Sequence, residues 1–366
     1  MFDFLAGMSW IYWLAFIPVL GFLVFIHELG HFWGARAMGV KVEEFGFGYP
    51  PRMLTLMERD GVKYTLNWLP LGGFVRMTGE EGNFDAEGSL WSKKPWRRAV
   101  VLVAGPLMNL LLAAVLFTVV FATGIPLEEG KVIISEVFPG YPAETAGVQQ
   151  GDWVVSLNGQ PINSTIDLSD GLNAAAGQSV PLVVERQGQR LNLTITPRAS
   201  GDLRAGIRMD MTDTYKVVRR SNPIESIQLG LRATSVTIVR LVVGLSQTIG
   251  RLIVRQPLPS DAGLAGPVGI ARATTEVAQQ GLSELLVFAA GLSISLGVLN
   301  LLPIPALDGG RLLFVFFEWL RGKRIPPERE AYVHVFGMVT LLLLMLVVTY
   351  MDVAKWIQGV SPLGGG

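Results

Sequence analysis

Four long stretches without an Asp, Glu, Lys or Arg punctuate the chain, at 4–26, 99–127, 285–307 and 331–351. Each reaches the roughly 20 apolar residues that carry a helix across a bilayer. A fifth apolar stretch, 226–255, contains Arg232, Arg240, Arg251 and Arg255. At helical periodicity these fall at about 0°, 80°, 100° and 140°, on one side, with Leu, Ile and Val on the rest. That pattern predicts an amphipathic helix lying in the membrane interface, the alternative being a further span with snorkelling arginines.

Between the apolar stretches the texture changes twice. Residues 53–57 and 62–68 read as two strands around a turn containing Asp60-Gly61, a hairpin signal. Breakers surround them: Gly46, Gly48, Pro50 and Pro51 before, Pro70, Gly72 and Gly73 after, in the company of Phe45, Phe47, Trp68, Leu69 and Phe74. A small cytosolic hairpin is the plainer reading. A hairpin dipping toward the membrane, covered by protein or by water in a cavity, accounts better for the apolar company. Residues 128–207 are β-rich, with strands predicted at 132–137, 152–157, 182–186 and 191–195 and a short helix at 142–147. The chain divides into a first transmembrane helix (1–38), a loop with the hairpin (39–97), a second helix (98–125) and a β-rich domain (126–210). There follow a linker with the amphipathic helix (211–283), a third helix (284–310), a loop (311–330), a fourth helix (331–356) and a tail (357–366).

The first apolar stretch ends in His27-Glu28-Leu29-Gly30-His31. Four residues turn a helix by about 400°, so the two imidazoles share a face one turn apart, as two ligands of one metal ion must. HExxH is the pattern in which both His bind zinc and the Glu serves as general base. The chain has three His, two of them in this pair, and ionisable groups at membrane depth mark function. The third, His334, lacks such spacing and reads as an interface residue rather than a ligand. Gly30 and Gly34 offer small faces to another span, and Asn109 in the second stretch is either packing glue or a substrate contact. The third stretch closes at Asn300-Leu-Leu-Pro-Ile-Pro-Ala-Leu-Asp308-Gly-Gly, where Pro303 and Pro305 break the helix just before a carboxylate.

Composition narrows the chemistry. Half of the 366 residues are hydrophobic and 16% are charged, which suits several spans with one soluble module. The formal net charge is zero and no basic run is interleaved with aromatics, so a nucleic-acid partner is not expected. Cysteine is absent, which excludes disulfides, thiolate zinc sites and Cys nucleophiles. A His₂-carboxylate set suits zinc but also iron and other divalent ions. The first ten residues lack the basic region of a secretory signal, so the first span is expected to be retained.

Ten Lys and Arg, from Arg36 to Arg98, lie between the first two spans, and five, from Arg311 to Arg329, between the last two. The positive-inside rule places both connections in the cytoplasm and the β-rich domain opposite. His27, His31 and Asp308 then meet at one depth, near the cytoplasmic side.

With these motifs in this order, the chain resembles the site-2 protease family of intramembrane zinc metalloproteases (M50 type), and within it the bacterial regulator of sigma-E protease group. The resemblance rests on HExxH at 27–31, Gly105-Pro106-Leu-Met-Asn109, and the Asn300 to Asp308-Gly-Gly segment. Residues 137–159 also resemble a bacterial PDZ domain, present here as a single copy where the best-known enterobacterial member resembles two in tandem. The implied fold is a polytopic α-helical membrane protein of four transmembrane helices, with a membrane-associated β-hairpin and one inserted periplasmic PDZ-like α+β domain. The resemblance implies Zn2+ held by His27, His31 and Asp308, with Glu28 as catalytic base. It places Asn109, Asn300, Gly105, Pro106, Gly72, Gly73 and Phe74 in substrate binding. Arg204, Ala205, Gly206 and Ile207 become the loop that receives a peptide ligand of the PDZ-like domain. The implied substrates are single-span membrane proteins, such as an anti-sigma factor already cut once, in the bacterial inner membrane. A non-proteolytic scaffold with a structural metal is the alternative, although three protein ligands leave zinc an open position and give Glu28 no structural duty. A metal transporter fits poorly, because one ligand cluster makes no pathway.

Overall fold

The structure, a computed structural model, describes residues 9–79, 84, 86–200, 204–254, 256 and 266–358. Arg255 and most of the expected tail lie outside the described residues. The chain divides into two compact units, 1–123 with 221–366, and 124–220.

In the first unit, α1 (Ser9–Ala37) is followed by β1 (Val42–Arg59), β2 (Val62–Met77) and α2 (Pro95–Thr123). Helices α1 and α2 cross closely because α1 presents Gly30 and Gly34. A Cβ on Gly30 would stand 2.8 Å from the Ala104 carbonyl carbon, and one on Gly34 would stand 2.8 Å from the Ala104 Cβ. The hairpin turns at Asp60 and Gly61, both with positive φ (52° and 76°), the geometry of a type I′ turn. Its strands run far beyond the expected bounds and fold back. Phe45 pairs with Val75 on one side and Tyr64 on the other, while Thr55 pairs with Thr65. Two long strands thus make a sheet of four segments, in the order 52–59, 62–67, 42–49 and 69–77, with 69–77 at an edge that has no further strand partner among the described residues. Buried Glu44 pins this doubling: it accepts from Arg52 (3.0 and 2.5 Å), Arg76 (2.6 Å) and Thr65 (2.9 Å). Burial alone would raise the Glu44 carboxyl, but these hydrogen bonds and the charges of Arg52 and Arg76 outweigh it, holding it below the ordinary range.

After the second unit come α5 (Pro223–Ile253), α6 (Pro267–Gln280), α7 (Leu282–Leu301), α8 (Asp308–Arg321) and α9 (Pro327–Ile357), where α3 and α4 are the short helices described below. Among the described residues five helices, α1, α2, α5, α7 and α9, are long and apolar enough to cross a membrane. The chain is a multi-pass membrane protein. The fifth candidate is α5, expected as an interfacial helix. It starts beside the end of α2, where the Ser221 N–H donates to the Phe121 carbonyl (3.2 Å). Its Ala233, Ile238 and Leu241 join the apolar cluster of Ala113, Phe117, Ala290 and Ile294. Helix α7 also starts at that end: Ala290 packs in that cluster, while Gly297, farther on, meets Pro106. The chain between Ser221 and Leu282 therefore leaves and returns at the same level.

Two expected boundaries move. The third helix stops at Leu301 rather than 310, because Pro303 and Pro305 cannot donate and bar helical continuation. The expected loop 311–330 is largely the helix α8, which begins at Asp308 and ends at Gly322 (φ 64°), a left-handed C-cap that glycine adopts freely.

The second unit is a six-stranded antiparallel sheet in the order β7-β6-β4-β3-β8, with β5 paired to β4. Its strands are β3 (Ile125–Val137), β4 (Trp153–Leu157), β5 (Gln160–Pro161), β6 (Val180–Arg186), β7 (Gln189–Ile195) and β8 (Ile207–Arg219). Helices α3 (Pro142–Thr145) and α4 (Thr165–Ala174) cover it, and Val132, Ile134, Val154, Leu168, Leu172 and Val184 fill the core. The unit extends past the expected 126–210 because β8 stays paired to β3 out to Ile125 and Arg219.

Candidate active site

The close crossing of α1 and α2 fixes the first histidine. A Cβ on Gly105 would run into the His31 ring, so only glycine leaves the ring its place. His31 Nδ1 donates to the Val101 carbonyl (2.9 Å), which puts the proton on Nδ1 and turns the Nε2 lone pair inward. One turn earlier, His27 Nδ1 lies 3.1 Å from the side-chain amide of Asn109, whose Oδ1 is buried without a partner. Carboxamide oxygen and nitrogen exchange places by a 180° rotation. With Oδ1 toward the ring, His27 takes the same tautomer as His31.

Asp308, the first residue of α8, closes the group. Its Oδ2 is 3.1 Å from His27 Nε2 and 3.3 Å from His31 Nε2, and the two Nε2 atoms are 3.1 Å apart. Both histidines are buried, each 6% exposed as a residue. Three inward lone pairs this close ask for a cation among them. Ligands at about 2.0–2.2 Å on a tetrahedral zinc stand about 3.3–3.6 Å from one another; the observed edges of 3.1–3.3 Å lie at or just below that span, and two imidazoles with one carboxylate are a donor set that would suit zinc.

The three residues line a cavity of about 560 Å³ together with Glu28, Asn300, Gly73 and Phe74. Gly73 lies in the open edge segment, and the other wall carries Arg311 of α8 and His334 of α9. The remaining residues expected in substrate binding are not among those that line this cavity. Gly72 (φ 99°) packs on Val24, the Pro106 carbonyl meets Gly297, and Asn109 is fully buried beneath His27 with its carbonyl accepting from Ser293 (2.8 Å). Sequence reasoning left out Arg311, Tyr49 and the site-facing position of His334. Only His334 carried a signal, as the one histidine outside HExxH. In the second unit, the carbonyls of Arg204, Ala205 and Gly206 accept from Arg198, Ala143 and Phe138, and Ile207 opens β8.

Below the cavity three helices meet at a buried charge cluster. Arg98 of α2 donates to Glu318 of α8 (2.6 Å), stands 4.0 Å from Glu330 of α9, and has its guanidinium over the Trp91 ring at 4.3 Å. This joins the helix carrying Gly105 to the helix carrying Asp308.

Comparison with known proteins identifies the family. The model of Peptidase family M50 matches residues 15–344. Zinc metalloprotease RasP of Geobacillus kaustophilus is 32% identical, over 94% of this chain and 98% of its own. A putative zinc metalloprotease of Clostridium acetobutylicum is 33% identical, over 92% and 96%. Regulator of sigma-W protease RasP of Bacillus subtilis is 30% identical, over 93% and 98%. Matched along nearly its whole length, the chain belongs to Peptidase family M50 and is a zinc metalloendopeptidase of the site-2 protease type.

Proposed function

We propose that His27, His31 and Asp308 hold the zinc and that Glu28 is the general base. The carrying observation is the triangle of His27 Nε2, His31 Nε2 and Asp308 Oδ2, with edges of 3.1–3.3 Å, opening into the cavity that Glu28 lines. When bound, zinc supplies a Lewis acid that polarises the scissile carbonyl and acidifies water. Glu28 accepts the proton of the attacking water and returns it to the leaving amine. Val101 and Asn109 hold the imidazole tautomers, so both rings act as neutral ligands.

The substrate is the transmembrane segment of a single-span membrane protein, such as an anti-sigma factor after a first cleavage. The name of the Bacillus subtilis relative, regulator of sigma-W protease, supports that class. A helical substrate must unwind to expose a peptide bond, and each backbone group left unpaired in lipid costs several kcal/mol. The open edge at 69–77, with Gly73 and Phe74 on the cavity, offers those groups strand partners. Four helices, α1, α2, α7 and α9, cross the inner membrane. The return of the chain to one level between Ser221 and Leu282 supports that count, since α5 then adds no net crossing. The distribution of Lys and Arg supports a periplasmic PDZ-like domain, which takes a peptide ligand, and an active site near the cytoplasm.

The test is Glu28→Gln beside Asp308→Ala in purified full-length protein. Glu28→Gln retains one zinc per chain and loses cleavage of a single-span substrate, whereas Asp308→Ala loses both. Cleavage by Glu28→Gln, or full zinc in Asp308→Ala, overturns the assignment.

A further inference from the structure

Among the described residues, few backbone N–H groups of the segment joining α7 to α8 bond beyond it and its flanking helices. Pro303 and Pro305 have no N–H, and the N–H groups of Ile304 and Leu307 bond within the segment, to Leu302 and Ile304. Ala306 adopts φ 75°, a left-handed conformation costly for a residue with a Cβ. Its N–H donates outside the segment, to Nδ1 of His334 at 2.9 Å. Three residues along α9, on the same face, Gly337 admits the Pro305 backbone, where a Cβ would stand 2.8 Å from the Pro305 carbonyl carbon. The His334 ring is set by Phe314 of α8, with centroids 5.8 Å apart. Accepting at Nδ1 leaves its proton on Nε2, which faces the Glu330 carboxylate at 3.8 Å. One helix thus clamps the strained turn two residues before Asp308.

We propose that His334 is a positioning residue for the reaction: by accepting the Ala306 N–H it holds the left-handed turn that delivers Asp308 Oδ2 to the two His Nε2 atoms. His334 is therefore neither a ligand nor only an interface side chain. The inference rests on Asp308 being the third zinc ligand.

The test compares His334→Phe, which keeps a ring against Phe314 without the acceptor, with His334→Asn, which restores an acceptor near Nδ1. Zinc affinity is measured by chelator competition on the full-length protein in detergent, and kcat and KM on a single-span substrate. His334→Phe is expected to weaken zinc binding and lower kcat by about tenfold each, with KM changed less than about twofold, as for residues that orient a ligand. His334→Asn is expected to stay within about threefold of wild type in both, by the same rule. Glycine adopts φ 75° without strain, so Ala306→Gly should shrink the loss in the Ala306→Gly/His334→Phe double variant, and should rescue its accumulation if His334→Phe alone does not fold. Wild-type zinc affinity and kcat in His334→Phe overturn the proposal. Equal impairment of His334→Asn and His334→Phe does so too, since packing alone would then be the cause. Asp308→Ala separates the two levels: zinc retained there sinks the ligand assignment, whereas zinc lost there but unchanged in His334→Phe sinks this inference alone.

Discussion

Gly73 of the edge segment lies directly on Glu28 of the first helix: a Cβ at position 73 would stand 2.9 Å from the Glu28 Cβ and 2.8 Å from the Phe25 Cα. Neither neighbour can yield cheaply, because one is backbone and the other is the stem of the expected base. Gly73→Ala therefore pushes the strand edge away from the site. The expected outcome is a loss of about tenfold or more in cleavage, by analogy with other misplacements of about 1 Å near a reacting centre. Zinc content, measured by elemental analysis, is expected to stay at the wild-type level, because the nearest neighbours of a Cβ at position 73 are Phe25 and Glu28 rather than the three proposed ligands.

Arg98 and Glu318 set a second expectation, this one on stability. They are 3% and 6% exposed, and Glu330 is buried beside them. Arg98→Met removes the buried cation from both carboxylates, leaving Glu318 only the more exposed Arg324 at 3.6 Å, and should cost about 3 kcal/mol, the lower end for broken buried pairs. Arg98→Met with Glu318→Met removes one stranded charge and should recover part of it. Thermal unfolding of the purified variants in detergent reads both; an Arg98→Met protein as stable as wild type would refute the expectation.

The Glu44 cluster predicts a pH dependence of the hairpin. A carboxyl held below its unfolded value, about 4.3 for Glu, adds stability in full above that pH. The contribution is lost as pH falls through the lower native value, where the folded carboxylate also protonates. Limited proteolysis within 42–77 should therefore accelerate below about pH 4.3 in the wild type. In Glu44→Gln cleavage should already be fast at pH 7 and change little on acidification, while equal rates for both proteins at pH 7 would exclude the role.

How far each element is legible in the sequence follows from its physics. Long charge-free stretches have few alternatives to a membrane, and HExxH places two ligands by helix geometry alone, so α1, α2, α7, α9 and the pair His27 and His31 stand out. The doubled hairpin does not, because its pattern is inverted: Glu44, Thr65 and Asn67 are buried whereas Met53, Leu54, Leu56 and Trp68 are exposed. Helix α8 hides behind Gly309 and Gly310, poor helix formers that are required here by contact with the Leu301, Leu302 and Ile304 carbonyls. Helix α4 escapes the strand-and-turn reading of its domain although Ser164 and Asp167 are spaced as a capping pair, with Ser164 Oγ accepting from the Asp167 N–H (3.1 Å). Asn109 suits contact with other helices or with substrate equally well; its place under His27 depends on how α1 crosses α2, which no local pattern encodes.

The expected ligands of one ion lie 281 residues apart in sequence, at His27 and Asp308. At about 5–20 residues per second, a ribosome needs on the order of 14–56 s to bring the second into being after the first. Throughout that interval the nascent chain would hold the proposed base and two imidazoles but not the third proposed ligand. With the proposed ligand set, proteolytic competence would arrive only once Asp308, at the start of α8, has been made, which would spare neighbouring membrane proteins, and the growing chain itself, from cleavage by an unfinished enzyme.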